Sequence, residues 1–193
     1  MISLKNILRN HFTEHAEVQK KTLEKLENNI LKISEKISDT ISKNKKIMWC
    51  GNGGSATDVM HLSGELVGRY NKDRKSLKSL CLSSDSSNLT CISNDYGYDK
   101  VFSRQIEGLG DKGDLLICFS TSGKSKNIMS ALNTAKNLGI FTISFLGKNG
   151  GDCKEVSNLE IIIPSNTTAR IQEMHLFIGH TICDLIEEKL KLK

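Results

Sequence analysis

The residues best suited to chemistry follow the first apolar run of the chain, in the segment CGNGGSATDVMHLSGELVGRY (50–70). His61 and Glu65 are four residues apart and project from one face if the segment is helical, and Asp58 and Arg69 extend the same stripe. An imidazole and a carboxylate at this spacing can bind a metal ion or share proton transfer. Such a pair is more often a simple surface contact, but here it follows a glycine-rich turn, which favours a functional interpretation.

That turn, which we call the glycine loop (residues 51–55), contains Asn52, Gly53, Gly54 and Ser55. Glycines permit positive φ and let backbone N–H groups approach a ligand, and the start of a helix attracts anions. Ser55 and Thr57 are candidate caps for that helix. Because position 56 is alanine, the loop lacks the GxGxxG pattern of dinucleotide-binding folds, and it has no Walker motif either.

A second loop, which we call the serine loop (residues 120–125), surrounds Gly123 with hydroxyl groups just before a predicted helix. Its hydroxyl residues are Ser120, Thr121, Ser122 and Ser125. Helix capping needs only one such residue, so four hydroxyls beside a helix N-terminus predict a phosphate site. Lys124 either adds positive charge to this site or points to solvent.

Two further segments carry polar residues whose role is not decided by spacing. In SNDYGYDKVFSRQ (93–105), Asn94 and Asp95 follow a predicted helix and precede Gly97, which is ordinary turn chemistry. The last predicted helix carries Gln172, His175 and His180 on a largely apolar background, where a histidine is more often a core residue than a ligand. Gln172 and His180 are eight residues apart, about 80° out of alignment, so they converge only obliquely or serve different subunits.

The elements that would position these residues alternate strand, turn and helix. Apolar runs predict strands at 46–50, 79–83, 114–120, 141–147 and 159–164, and helical patterns lie at 54–70, 86–94, 99–109, 124–138 and 167–191. Such runs indicate a parallel sheet covered on both faces, that is, a three-layer α/β fold, with ligands at the carboxyl ends of the strands. Residues 2–42 predict one or two amphipathic helices whose apolar stripe packs on the domain or on a second subunit. We therefore predict an N-terminal helical extension (1–45) and one domain (46–193).

Composition limits the function classes. The 193 residues carry a net charge of +5 spread along the chain and only ten aromatic residues, so no nucleic-acid partner is expected. No signal peptide or membrane-spanning run is recognisable, and no membrane partner is expected. The six cysteines form no CxxC pair and mostly fall in apolar stretches, which indicates reduced thiols and a cytoplasmic location.

These motifs, in this order, resemble the bacterial phosphoheptose isomerases (sedoheptulose 7-phosphate isomerases) of the sugar isomerase (SIS) fold group. The resemblance covers essentially the whole chain and rests on CGNGGSATDVMHLSGELVGRY, SSNLTCISNDYGYDKVFSRQ, STSGKSKN and TARIQEMH. It implies an SIS-type fold with a central parallel sheet, a homotetramer and active sites at subunit interfaces. A departure is Lys124, which stands where a smaller polar residue is common.

The resemblance also implies roles for individual residues. Zinc would be bound by four residues: His61, Glu65, Gln172 and His180. The phosphate would be held by the serine loop residues Ser120, Thr121, Ser122 and Ser125. The rest of the substrate would be bound by Asn52, Gly53, Gly54, Ser55, Glu65, Arg69, Asn94, Asp95 and Gln172. Glu65 would be the base and His180 the acid of an enediolate mechanism that converts sedoheptulose 7-phosphate to D-glycero-D-manno-heptose 7-phosphate, for lipopolysaccharide core or capsule.

Other functions are compatible with parts of the pattern. A non-catalytic SIS adaptor for a replication initiator protein would share the fold and the glycine loop, but it would not need the four predicted zinc ligands together. The GNGGS loop and the RIQE stretch argue against a pentose phosphate isomerase or an amino-sugar phosphate enzyme. A nucleotide-binding α/β protein fits the fold class but would lack these loops.

Overall fold

The computed structural model describes residues 3–192; residues 1, 2 and 193, which belong to the predicted extension and domain, lie outside the described part. The helices are α1 (Leu4–Ser42), α2 (Gly54–Val67), α3 (Ser86–Tyr96), α4 (Ser103–Leu109), α5 (Lys126–Asn137) and α6 (Thr168–Lys189). The strands are β1 (Ile47–Gly51), β2 (Ser79–Cys81), β3 (Leu115–Ser120), β4 (Phe141–Gly147) and β5 (Leu159–Ile163). Short 3-10 helices cover Tyr98–Lys100 and Gly151–Cys153.

The five strands form one parallel sheet in the order β2-β1-β3-β4-β5. Alternate side chains enter two separate cores. Ile47 and Trp49 pack with residues of α1, α2 and α6, whereas Met48 and Cys50 pack with residues of α4 and α5 on the other face. The predicted three-layer α/β fold is therefore confirmed. β2 lies on one side of β1, and β3, β4 and β5 follow in turn on the other side. The point between β1 and β3 is thus a topological switch point, where open α/β sheets bind ligands.

Residues 4–42 form one continuous helix, because they contain neither glycine nor proline to break it. The second half of α1 packs through Ile33 and Ile37 on the sheet and α6. Its first half leaves Leu8 58% and Phe12 71% exposed. The predicted apolar stripe thus exists, and one chain covers only part of it. Within residues 3–192, no helix combines the length and apolarity that a membrane span requires.

Candidate active site

The glycine loop and the serine loop lie side by side, because β1 and β3 are neighbours in the sheet and both strands end at the same edge. Gly51 pairs with Phe119 in the register of these two strands. The glycine loop starts at Gly51 and runs into α2, and the serine loop follows Phe119 and leads directly into α5. The sequence predicts loops at one sheet edge, and the structure places these two together at the switch point.

Asn52 connects three segments of this edge. Its Oδ1 accepts a hydrogen bond of 2.8 Å from the hydroxyl of Tyr98 and one of 2.9 Å from Nδ2 of Asn127 in α5. Its Nδ2 donates in return to Oδ1 of Asn127, also at 2.9 Å. The glycine loop, the serine loop helix and the 93–105 segment therefore converge on one side chain.

The glycine loop leaves its backbone open to a ligand. Gly53 has φ +56° and precedes α2, and neither Ser55 nor Thr57 caps that helix; the hydroxyl of Thr57 donates to the carbonyl of Gly54 instead. The prediction that these two residues cap α2 is therefore wrong. Ser55, Ala56 and Thr57 donate their N–H groups to the carbonyls of Asn52 and Gly53. The N–H of Gly54 is therefore the one left at the helix start for an anion.

The serine loop uses its hydroxyls differently from a capping segment. The Ser120 hydroxyl accepts the N–H of Gly123 at 3.1 Å, and the Ser122 hydroxyl accepts the N–H of Lys124 at 3.2 Å. Ser125 is the N-cap residue of α5, yet its side chain makes no capping hydrogen bond. The Ser125 hydroxyl and the start of α5 therefore remain available to an anionic group.

A groove of about 400 Å³ opens beside the serine loop. It is lined by Ser122, Lys124, Lys148, Asn149 and Asn166. Lys124 is exposed and lines this groove beside the predicted phosphate site.

Three predicted metal ligands come together on the outer side of α2 and α6. Nε2 of His61 lies 3.1 Å from Oε1 of Glu65 and 3.4 Å from Nε2 of His180. All three donor atoms lie within 4.8 Å of one another. The i,i+4 spacing on α2 makes the first pair, and the packing of α6 along α2 adds His180.

The spacing of these donors fits a zinc ion. Zn–N bonds of about 2.05 Å at the tetrahedral angle separate neighbouring ligand nitrogens by about 3.3 Å, and the two histidine nitrogens are 3.4 Å apart. Two imidazole nitrogens and one carboxylate oxygen are also a common protein donor set for zinc. The donor types and the separation of the two histidine nitrogens therefore fit the ion.

The environment of His180 favours its neutral form. Burial lowers the pKa of His180, the neighbouring His61 lowers it further, and Glu65 opposes both effects. The ring of Tyr70 stacks on His180 with centroids 5.7 Å apart and holds the imidazole plane. A neutral imidazole is the form that binds a metal ion, and it must first take up a proton before it can act as an acid.

His175, by contrast, is a core residue. Its side chain is fully buried against Phe119 and Phe145, and its Nε2 lies 3.0 Å from the carbonyl oxygen of Leu146. Burial lowers the pKa of His175 to about 4, so it stays neutral. The general expectation for a histidine on an apolar helix face applies to His175 and not to His180.

Gln172 lies at the glycine loop. A Cβ atom built on Gly54 would come within 2.2 Å of Nε2 of Gln172, so a side chain at position 54 would displace the amide from its present place. Eight residues of helix separate Gln172 from His180, a rise of about 12 Å. Within one chain Gln172 thus borders the predicted sugar site, and its role as a zinc ligand stays a prediction.

Three other predicted site residues lie elsewhere than expected. α2 ends at Val67 because Gly68 leaves the helical conformation, so Arg69 is an exposed residue beyond the helix. The prediction that Arg69 continues the His61/Glu65 stripe is wrong. Asn94 and Asp95 lie in the last turn of α3 and do not follow it; they are exposed, and Asn94 lines an open groove with Tyr98.

The structure adds two polar residues that sequence reasoning did not select, and it shows the surroundings of Asp58. Asn127 and Tyr98 contact Asn52, as described above, and Asn127 is only 2% exposed. Asp58, one turn before His61, has a buried Oδ2 with no hydrogen-bond partner among the described residues. Burial raises the pKa of Asp58, and His61 partly opposes this. The available signal for Asn127 was its place in the STSGKSKN motif, and that for Tyr98 was its place after Gly97 in SNDYGYDKVFSRQ.

Comparisons with known proteins agree with this arrangement. A SIS domain family model matches residues 10–147. The phosphoheptose isomerase of Helicobacter pylori (strain P12) is 47% identical over 182 residues, covering 94% of this chain and 95% of the relative. That of a Nitratiruptor species is 50% identical over 175 residues, covering 91% and 94%. The chain belongs to the phosphoheptose isomerase family.

Solved structures of the family share the fold. The phosphoheptose isomerase of Neisseria gonorrhoeae superposes with a TM-score of 0.90 at 34% identity, over 96% of this chain and 100% of that chain. The one from Francisella tularensis gives 0.91 at 28% identity, over 97% and 100%. The predicted family, SIS-type fold and aldose–ketose isomerase class are thereby confirmed, and the comparisons give the adaptor alternative no support.

Proposed function

We propose that this chain converts sedoheptulose 7-phosphate to D-glycero-D-manno-heptose 7-phosphate. The observation that carries the proposal is a His61/Glu65/His180 cluster on α2 and α6, together with two loops that precede α2 and α5, in a member of the phosphoheptose isomerase family. A sugar phosphate needs both features, a cradle for its phosphate and an acid–base pair beside its carbonyl end.

The serine loop is proposed to bind the phosphate and the glycine loop to bind the sugar hydroxyls. Both helices that start there present N–H groups without side-chain caps, which favours a dianion. Gln172 and the Asn52 amide border the same space. In this orientation, the carbonyl end of the sugar would point to the later turns of α2, where Glu65 lies.

Glu65 is proposed to remove a proton from carbon 1 of the ketose. The C–H electron pair then forms the double bond between carbons 1 and 2, and the carbonyl electrons move onto oxygen 2, giving an enediolate. His180 is proposed as the partner acid that delivers a proton to carbon 2, while the proton on oxygen 1 passes to oxygen 2. This gives the aldose with its carbonyl at carbon 1, and Glu65 then releases its proton to solvent.

His61, Glu65 and His180 are proposed to hold Zn²⁺. Gln172, which lies at Gly54 within one chain, would have to come from a neighbouring chain to join them. When bound, such an ion stabilises negative charge on substrate oxygens as a Lewis acid. A carboxylate that binds zinc is a weaker base, so Glu65 would have to leave the ion during turnover or the ion would be partly structural.

Proton NMR of sedoheptulose 7-phosphate in deuterated water tests the proposal. We expect an aldose product with deuterium at carbon 2, and an activity that falls at least tenfold after thorough chelation and returns with zinc. Conversion that survives chelation would remove zinc from the mechanism, and no conversion or exchange under either condition would contradict the function itself.

Replacing Ser125 with alanine is expected to separate phosphate binding from stability. Because the hydroxyl makes no capping bond, the free energy of unfolding should change by less than about 0.5 kcal/mol. Loss of one hydrogen bond to a charged phosphate should raise KM about tenfold or more. Ser120→Ala is the contrasting variant, because its hydroxyl also supports Gly123. Steady-state kinetics with a KM unchanged in Ser125→Ala would exclude this hydroxyl from the phosphate site.

We also propose a homotetramer, as the resemblance implies. Apolar side chains of α1 and α6 line a groove of about 570 Å³, and Phe177 in it is 50% exposed. α3 has no fully buried residue in one chain, and its Leu89 and Ile92 are only partly buried against the core. Further copies of the chain would cover these surfaces, and sedimentation equilibrium against the 21.4 kDa of one chain tests the assembly.

A cytoplasmic role in heptose biosynthesis, for lipopolysaccharide core or capsule, stays a prediction. In its favour, all six cysteines are free, and the Sγ atoms of Cys50 and Cys118 lie 3.3 Å apart without a bond. Thiols so close together are suited to a reducing compartment.

A further inference from the structure

The side-chain amide of Asn52 is almost fully used by the protein itself. An asparagine amide has two acceptor positions on oxygen and two N–H donors. Oδ1 accepts from Tyr98 and Asn127, which occupies both positions, and one N–H donates to Asn127. One N–H of Asn52 is therefore left for a ligand, and no acceptor is left.

These contacts are not needed to hold the backbone of the glycine loop. The hydroxyl of Ser83 already accepts the N–H of Gly51 at 3.1 Å and donates to the Gly51 carbonyl at 2.9 Å. The N–H of Ser55 donates to the carbonyl of Asn52 at 3.1 Å. What Tyr98 and Asn127 determine is the rotation of the Asn52 amide.

Neither partner is well placed to replace Asn52 as the ligand contact. Asn127 is 2% exposed and its amide is reciprocally paired with Asn52. Tyr98 is 54% exposed, but its hydroxyl is directed to Oδ1 of Asn52. Both side chains act on the site through Asn52.

We propose that Tyr98 and Asn127 are positioning residues that fix the Asn52 amide so that it presents a single N–H donor to an oxygen of the sugar. The inference rests on the proposed function for the identity of that sugar. It joins two residues outside the predicted substrate-binding set to the recognition of the substrate.

A double-mutant cycle tests the proposal. Tyr98→Phe removes one hydroxyl from an exposed ring, and we expect it to raise KM for sedoheptulose 7-phosphate about three- to tenfold, the effect of one hydrogen bond. kcat and the melting temperature should stay near the wild-type values, since the donor serves ground state and transition state alike. In the Asn52→Ala background the same substitution should change kcat/KM less than twofold.

The outcomes separate this inference from the proposed function. An equal loss in both backgrounds would mean that Tyr98 does not act through Asn52, and an unchanged KM in Tyr98→Phe would remove it from substrate recognition. A wild-type enzyme inactive on sedoheptulose 7-phosphate would instead contradict the function. In that case a crystal structure of Asn127→Ala decides the positioning role: displacement of the Asn52 side chain supports it, and an unmoved side chain overturns it.

Discussion

Replacing Glu65 with glutamine is expected to lower kcat by about 10²–10⁴-fold, the usual contribution of a general base. Glutamine has almost the same shape, and it can still accept a hydrogen bond from Nε2 of His61, which lies 3.1 Å from Oε1 of Glu65. The packing of α2 on α6 should therefore persist while the proton acceptor is lost. The rate of deuterium incorporation at carbon 2 measures this loss directly.

Two controls make the result specific. Glu107→Gln removes an exposed carboxylate that only forms a surface ion pair with Arg104, and it should leave kcat unchanged. Zinc content and the melting temperature of Glu65→Gln distinguish a lost base from a lost metal or fold. A Glu65→Gln enzyme that retains its metal and more than a tenth of wild-type kcat would exclude Glu65 as the base.

Replacing Arg74 with methionine is expected to lower the free energy of unfolding by about 3–5 kcal/mol, the cost of leaving a buried charge unpaired. Nε of Arg74 donates to Oε1 of Glu187 at 2.9 Å, and both side chains are only 1% exposed. The same guanidinium donates to the carbonyls of Glu65 and Leu66 and so ends α2. Urea unfolding at fixed protein concentration and pH 7 measures the change.

The exposed pair of Lys72 and Glu188 links the same two segments and provides the matched control. Lys72→Met should change the free energy of unfolding by less than about 0.5 kcal/mol, because exposed ion pairs contribute little. If Arg74→Met and Lys72→Met lowered the free energy of unfolding equally, burial of the Arg74–Glu187 pair would not explain its contribution.

The pH dependence of the stability of this pair follows from the pKa of Glu187. Burial alone would raise the pKa of Glu187, but Arg74 and the N–H groups of Lys72, Asn71 and Tyr70 outweigh it and hold the pKa below the usual 4.5. The pair therefore stabilises the fold fully above pH 4.5, and the contribution is lost as pH falls through the lower, folded-state value. Below pH 4.5, stability should decline less steeply in Arg74→Met than in the wild type.

Most of the elements could be predicted because local patterns specify them. Runs such as LLICF and FTISF are apolar throughout, which is typical of strands buried on both faces, and the structure has strands there. Boundaries were less accurate where a single residue decides them. α2 ends three residues before the predicted end because of Gly68, and α3 continues through Tyr96 until Gly97 adopts φ +84°.

The candidate site, like the fold, was partly predictable from local sequence patterns. The sequence by itself determined which groups are available: the His61/Glu65 pair one helical turn apart, two hydroxyl- or glycine-rich helix starts, and the resemblance of these motifs to phosphoheptose isomerases. Periodicity and loop composition are local properties, so they can be recognised without coordinates.

The tertiary structure alone decided which of these groups meet. The packing of α6 along α2 brings His180 to His61 but leaves Gln172 beside Gly54. The strand order places β1 next to β3, and only that neighbourhood lets Tyr98 and Asn127 converge on Asn52. Contacts between residues so far apart in the chain depend on the strand order and helix packing of the whole domain, and no local pattern encodes them.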